Sequence, residues 1–500
     1  MNTNLKELPV TPVLSSQRAE HLIALSVAVG LVALSLADGG YGAEIRSALT
    51  VLIWAAVIAG LLSGRFPRAE VPSAALIAGC SLAAVALLSG ISISWASDDG
   101  RAFTEAIRVA GYLGLFTAVV CASGREGARP WLVGLALGII GVGLLAVGSR
   151  LIPALPGGDE EIAAFLPNAT GRLSYPLGYW NGLGALFAIG VVMLAWLSVE
   201  ASRAQARAIA VAAIPLLGLG LYLTSSRGGF AAALVGILLL VVLGPRRLQL
   251  LVGVAIGGMG AGLAILVASR QPELLDGLTN HAAKTQGAEV LAVLLGSALA
   301  AFALRAVIDT RLSELTLSRP WARAFAAALV GILLLGPRRL SLLVGVAIGG
   351  MGAGLAILAA IVGLAVADPN ERIEQFKEVP TEENATGTNY VGAHLASGSG
   401  SGRYQFWGEA LDAYSSEPVH GIGAGGYGAY WTEHATIDGT VQDAHSLFLE
   451  VLGELGPLGL IALLVFFAVG AAEAFRRRSE SAFFLLDARV CLALLATGVA

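Results

Sequence analysis

The feature that most constrains this chain is its succession of apolar runs at the length of a membrane's hydrocarbon core. They fall at roughly 22–37, 46–64, 72–95, 103–122, 131–149, 182–199, 208–225, 229–243, 248–268, 287–304, 341–366 and 446–470. A core about 30 Å thick is crossed by about 20 helical residues. No water pairs with the backbone there, so only helices or a closed barrel can span it. Continuous rather than alternating runs choose helices. Hydrophobic residues make up 56% of the chain and charged ones 13%, which excludes a string of soluble domains. The expected fold is all-α and polytopic, with about twelve transmembrane helices. A further run, 491–500, reaches about 15 Å as helix, so this last span is expected to be truncated.

Charge and cysteine content narrow the class. The net charge of −4 is thinly spread and no basic tract occurs, so no nucleic acid partner is expected. Cys80, Cys121 and Cys491 stand at unrelated spacings in or beside apolar runs, which gives neither a disulfide framework nor a metal cluster. The polar segment 1–20 leads into a full-length span, so a cleaved signal peptide is not expected.

Lysine and arginine set the orientation, because short loops rich in them stay on the cytoplasmic side. Placing Met1 there also puts Arg65, Arg68, Arg125, Arg129, Arg203, Arg207, Arg246, Arg247 and Arg476 inside, together with 305–323. The loops 151–181, 269–287 and 368–443 then share the outer face. Three parts follow: a transmembrane bundle over 1–367, an extracytoplasmic loop region over 368–443, and C-terminal transmembrane helices over 444–500. The middle part begins acidic and becomes Gly/Ser-rich. At about 75 residues it is too small to expect an independent core. The expected location is the plasma (inner) membrane, multi-pass, with any active site on the outer face.

The bundle contains a near-identical pair of segments, 230–266 and 325–358. Once Val241-Val242-Leu243 is dropped, 33 of 34 aligned residues are identical, the exception being Gln249 against Ser341. Two separated copies do not make a solenoid, which needs several stacked neighbours. The deletion leaves 325–335 at about 17 Å of helix, too short to cross, so it is expected to lie at the inner surface. Ser225-Ser226-Arg227-Gly228-Gly229 precedes the first copy alone.

The residues that could carry chemistry gather mainly in 397–464. Asp443 is a good helix N-cap, which would put His445 near the second position of an apolar helix. Burial and the positive end of the helix dipole would both lower its pKa, leaving a neutral imidazole able to accept a proton. The plain alternative is a histidine satisfied by backbone and headgroups. Arg227, in Thr224-Ser-Ser-Arg-Gly-Gly229, either snorkels to headgroups or meets a ligand in its tight glycine-flanked setting. Arg403, in Gly400-Ser-Gly-Arg-Tyr-Gln-Phe-Trp407, either anchors a surface helix or forks onto a phosphate group. Glu450 and Glu454 share a helix face roughly 140–180° from His445, and carboxylates at membrane depth need partners, so structural pairing is expected. The glycines after His420 could bring backbone N–H groups to a phosphate. His281, His394 and His434 lack metal-like spacing, so no metal site is expected. Asn168-Ala-Thr170 and Asn384-Ala-Thr386 match a sequon that arises often by chance.

Three motifs together resemble the O-antigen ligase and O-antigen polymerase superfamily. They are a basic residue after Gly-Ser-Gly (Arg403), then Pro418-x-x-Gly-x-Gly-x-Gly-x-Tyr427, then His445-Ser-x-x-Leu-Glu450-x-x-x-Glu454-Leu-Gly-x-x-Gly459. The resemblance spans 400–464, extends to the Ser-Arg pair at Arg227, and includes an Arg…Asn pattern at Arg172 and Asn181. It implies a membrane glycosyltransferase that moves a polyprenyl-pyrophosphate-linked glycan onto a glycan, lipid or protein acceptor at the outer leaflet. His445 would be the general base, and Arg227 and Arg403 would bind the pyrophosphate in place of a metal, with no cofactor. Arg172, Asn181 and His420 are candidate substrate contacts. His420 stands where the family has an apolar residue, which favours a structural role for it, as expected too for Asp443, Glu450 and Glu454. Ser446 departs from the family's asparagine after the histidine. Ligases and polymerases share this scaffold and both stay open. A transporter of a small solute or glycolipid is the rival class, with many spans and glycine-rich helices in its favour. A non-catalytic scaffold is a third, which leaves Arg403 and His445 without a role.

Overall fold

The computed structural model describes residues 16–64, 66, 71–123, 129–155, 171–312, 369–379, 400–437 and 439–476. Among them are fifteen α-helices and no strand. The first five are α1 (Ser16–Leu36), α2 (Ala43–Leu62), α3 (Ser73–Ser92), α4 (Asp99–Ala122) and α5 (Arg129–Leu151). Next come α6 (Trp180–Glu200), α7 (Ala204–Leu223), α8 (Arg227–Leu243), α9 (Arg247–Ala268), the short α10 (Pro272–Leu275) and α11 (His281–Leu312). The polar stretch supplies α12 (Pro369–Lys377), α13 (Arg403–Ser416) and α14 (Tyr427–His434), and α15 (Leu447–Arg476) follows. Nine of these helices are long and apolar enough to cross a membrane, and Glu20–Leu36 and Arg227–Leu243 are shorter apolar helices. The all-α, multi-pass expectation holds. The second copy (325–358), the run 341–366 and the end 491–500 lie outside the described residues. The first copy is α8, a Gly244-Pro245-Arg246 turn and α9.

Lipid tails are as apolar as leucine, so helices in a membrane cohere through close packing rather than removal from water. The sequence meets this with small residues on α6, the most enclosed span. Gly190 lets α5 and α7 approach: a Cβ there would come within 2.5 Å of Ile139 and 2.6 Å of Leu217. Around it Leu183, Phe187, Val192 and Met193 are fully buried. Helices α5 to α9 share one large core, joined by Val290 and Leu294 of α11, and α1 packs along α5. A second group forms from α2, α3, α4 and α15, with α2 and α3 on α4 and α15 on α3.

Described parts of the loops 151–181 and 269–287 meet, and the turn between α3 and α4 meets 421. Arg150 Nη1 donates to Gly171 O at 3.0 Å and to Leu274 O and Leu275 O at 3.3 and 3.2 Å, tying 171 to α10. Trp95 Nε1, between α3 and α4, donates to Gly421 O at 3.2 Å. On the opposite face Arg207 and Arg305 pair with Asp309, and Arg246 lies 3.6 Å from Glu200. The described part of the polar stretch shares a small core with the start of the last span, Leu449 of α15 packing against it. Phe406, Ala410, Tyr427, Trp431 and Ala444 are buried together, a cluster that two aromatic-rich helices can form at small chain cost.

Candidate functional site

The site is built on a break in the last span. Gly456 has φ 66° and ψ −167° inside α15, and Pro457 follows it. Proline has no N–H to offer the carbonyl four residues back, so the Gly453 carbonyl is left without its helical donor. Ile422 N–H fills that position at 3.0 Å, and Gly423 N–H reaches the Glu454 carbonyl at 2.9 Å. The Glu454 carboxylate, itself buried, then accepts from Gly425 N–H at 2.8 Å and Tyr427 N–H at 3.1 Å. The Gly-rich turn after His420 is therefore sewn into the break by four hydrogen bonds. Two of these N–H groups serve a carboxylate and two serve carbonyls of the same chain, rather than standing open to a phosphate. Glycine is needed at 423, where φ is 99° and a Cβ would sit 2.6 Å from Ala96.

His445 does not stand on the helix as expected. The helix begins at Leu447, with Glu450 N–H donating to Ser446 O, and His445 precedes it at φ 55°. Glu450 reaches back over this turn, its carboxylate accepting from Ala444 N–H at 3.0 Å. The Asp443 carbonyl instead lies 3.0 Å from His445 Nδ1. A carbonyl can only accept, so Nδ1 carries the proton and Nε2 of the neutral ring has a free lone pair. The ring packs edge-on against Phe406, centroids 5.3 Å apart. Although His445 is exposed, desolvation by the protein around it pushes the imidazole pKa below its ordinary 6.5. Arg403 pushes the same way, while the Asp443 carbonyl opposes it.

The two arginines named from sequence are brought to this region. Ser225 (φ 53°) and the Ser226 cap, which accepts from Gly229 N–H at 3.2 Å, turn the chain into α8, so that Arg227 is its first residue. Arg227 Nη2 donates to Ser401 Oγ at 3.1 Å. Ser401 and Gly402 are both left-handed (φ 51° and 83°) and launch α13 at Arg403. Three residues on, along the same helix side, Phe406 meets His445. Arg227, Arg403 and His445 thus border one region.

Arg172 and Asn181 come together but as a brace. Arg172 is buried, with Nε on Thr224 O at 3.1 Å and Nη2 on Ser225 O at 3.3 Å and Asn181 Oδ1 at 3.2 Å. It holds the Arg227 turn from beneath. His420 lies apart, with Nδ1–H on Gly421 O at 2.8 Å, Nε2 3.6 Å from Glu417 and its ring 5.0 Å from Trp95. His434 stacks on Tyr430, centroids 4.1 Å apart. His394 and both sequons lie outside the described residues. Sequence reasoning missed Arg150 and an ionic group on α4. There Glu105 pairs with Arg108 and lies 3.6 Å from Arg46, Arg108 is within electrostatic reach of Glu450 and Glu454, and Arg101 donates to Gln442 Oε1. The one signal was charge inside an apolar run. Among the described residues no three His, Cys, Asp or Glu side chains group closely enough to share a metal ion.

Comparison with known proteins adds to this geometry. No curated protein matches the chain. The matched part described below begins ahead of the second copy and leaves Arg227 outside it. Arg319 of Ser318-Arg319 stands six residues before Phe325 and Arg227 three before Phe230, so a Ser-Arg pair precedes each copy at a different spacing and Ser-Ser-Arg-Gly-Gly the first alone. Residues 314–464 match the family model described as O-Antigen ligase, and the resemblance drawn from 400–464 to that superfamily therefore holds.

Proposed function

We propose that the protein transfers a glycan from a polyprenyl pyrophosphate carrier to an acceptor hydroxyl at the outer leaflet. The acceptor oxygen attacks the anomeric carbon, the bond from that carbon to the pyrophosphate oxygen breaks, and the hydroxyl proton passes to His445 Nε2. Arg227 and Arg403 offset the charge that builds on the departing pyrophosphate, in place of a divalent metal. The single observation that carries this is the Arg227–Ser401 hydrogen bond of 3.1 Å. It joins the turn of one helix group to the loop that launches Arg403 and leads on to His445. The Nδ1–H bond to Asp443 O further supports the base role.

Beside its many spans and glycine-rich helices, a transporter has the broken α15 with carboxylates beside the break in its favour. Those carbonyls and the Glu454 carboxylate are taken by the Gly-rich turn, however, so the break is filled by protein. The deciding experiment compares cell-surface glycan and solute uptake in a deletion strain, then glycan transfer in membranes from His445→Ala cells. Altered glycan with normal uptake, and transfer reduced by about 100- to 10,000-fold in the variant, is expected for loss of a general base. Normal glycan with altered uptake would select the transporter. EDTA leaves activity intact if the arginines replace a metal; loss restored by Mg²⁺ would refute that part.

A further inference from the structure

Four residues other than glycine hold a left-handed backbone among the described residues: Asp38 (φ 50°), Ser225 (53°), Ser401 (51°) and His445 (55°). Such conformations persist where the surroundings enforce them, and they cluster at functional sites. Three of the four belong to the region already described. Ser225 shapes the Arg227 turn, Ser401 accepts from Arg227, and His445 is the base. The fourth, Asp38, lies between α1 and α2 and has no part in that mechanism. Gly39 (65°) and Gly40 (72°) continue the left-handed stretch, which folds the chain back under Tyr41. A Cβ on Gly39 would strike the Tyr41 ring at 2.7 Å.

What this turn presents is an aromatic surface. Tyr41 meets Tyr179 edge-to-face at 6.3 Å, and Tyr179 meets Trp180 at 5.9 Å. Tyr41 is 50% exposed and Tyr179 37%. Their positions are fixed from below. The Tyr41 hydroxyl lies against Gly182, where a Cβ would come within 2.7 Å, and Asn181 Nδ2 donates to the Tyr179 hydroxyl at 3.4 Å. Arg172, the brace beneath Thr224 and Ser225, lies 4.7 Å over the Trp180 ring. The surface and the Arg227 turn are thus held by one arginine.

Exposed tyrosines at a membrane boundary ordinarily sit among headgroups. That role calls for neither a three-residue left-handed turn nor a fixed pair geometry. A sugar ring suits the surface better: its C–H face packs on an aromatic face, and its hydroxyls can bond with the phenols. We propose that Tyr41 and Tyr179 form a stacking platform for a sugar ring beside the pyrophosphate, resting on the assignment of Arg227 to that group.

The test uses the whole chain in nanodiscs with His445→Ala as background, so that binding is read without turnover. The probes are the cell's own lipid-linked glycan and the same glycan released from its carrier by mild acid. Tyr41→Ala and Tyr179→Ala should each weaken binding of the released glycan by about 3- to 10-fold, and the Phe variants by less. Weaker binding of the lipid-linked form as well assigns the ring to the donor; weaker binding of the released form alone assigns it to the acceptor. Unchanged affinity for both probes overturns the platform, whether or not the amount of folded protein falls. Wild-type protein that transfers no glycan, while binding still depends on Tyr41, would sink the transfer reaction and leave the platform standing.

Discussion

Replacing Glu454 with alanine tests the joint on which the site is built. The carboxylate accepts from Gly425 N–H at 2.8 Å and Tyr427 N–H at 3.1 Å in a buried setting. Removing the carboxyl group leaves two buried N–H groups without their acceptor, at about 1–3 kcal/mol each, so about 2–6 kcal/mol holds the turn in place. Relief from keeping a carboxylate in the bundle offsets part of this and leaves a net loss of about 2–4 kcal/mol. The turn remains held by Ile422 and Gly423 on the carbonyls of the break, so the expected result is local opening rather than global unfolding. Amide hydrogen exchange in nanodiscs, followed on peptides covering 421–428, reads it directly. Exchange at Gly425 and Tyr427 should quicken by about 30- to 700-fold, at tenfold per 1.4 kcal/mol. Glu450→Ala should instead expose Ala444, its own partner. Should the alanine variant not fold, Glu454→Gln keeps one acceptor oxygen and should show a smaller increase at the same amides. Unchanged exchange at both amides in a folded Glu454 variant would refute the account of the joint.

Three further outcomes follow from the same geometry. The acid limb of the pH–rate profile should lie below pH 6.5, since burial and Arg403 lower the His445 pKa and the ring stays an acceptor until protonated; Arg403→Gln should move that limb upward as well as slow transfer, and an unmoved limb would contradict the pairing. The same lowering means the unfolded chain gains a proton first, so His445 should reduce stability as pH falls through the unfolded value, and His445→Asn should flatten that slope in thermal melts. Arg227→Ala should cut transfer by about 30- to 1,000-fold through loss of a charge-assisted contact, with Arg319→Ala far milder; the reverse order would give the role to the Ser-Arg pair ahead of the second copy.

The helices were readable because hydrocarbon length and the lack of charge leave a span little choice, and α2 to α9 fall where the runs do. The candidate site residues stood out by type, as arginines and a histidine at span boundaries beside small residues. Their partners were not. Glu454 meets Gly425 across 29 positions, and no periodicity records such a pairing. Left-handed serines at 225 and 401 carry no sequence mark, as a glycine would. His445 was misplaced because Asp443 has the right side chain for a cap, yet the helix starts only at Leu447, after His445 has turned left-handed. One clue was in plain view: Gly456-Pro457 inside an apolar run announces a break, and a break at membrane depth demands something to fill it.

That break also orders events during synthesis. A chain made from its N-terminus exposes the Gly-rich turn before Gly453 and Glu454 exist to receive it. Until α15 has entered the bilayer, Ile422, Gly423, Gly425 and Tyr427 have no acceptors there and His445 has no Glu450 to set its turn. Every residue of the turn can be in place while the site is still unformed. The last described span therefore acts as the latch that fixes the finished loop, and under the proposed function a half-made protein in the membrane lacks its assembled site.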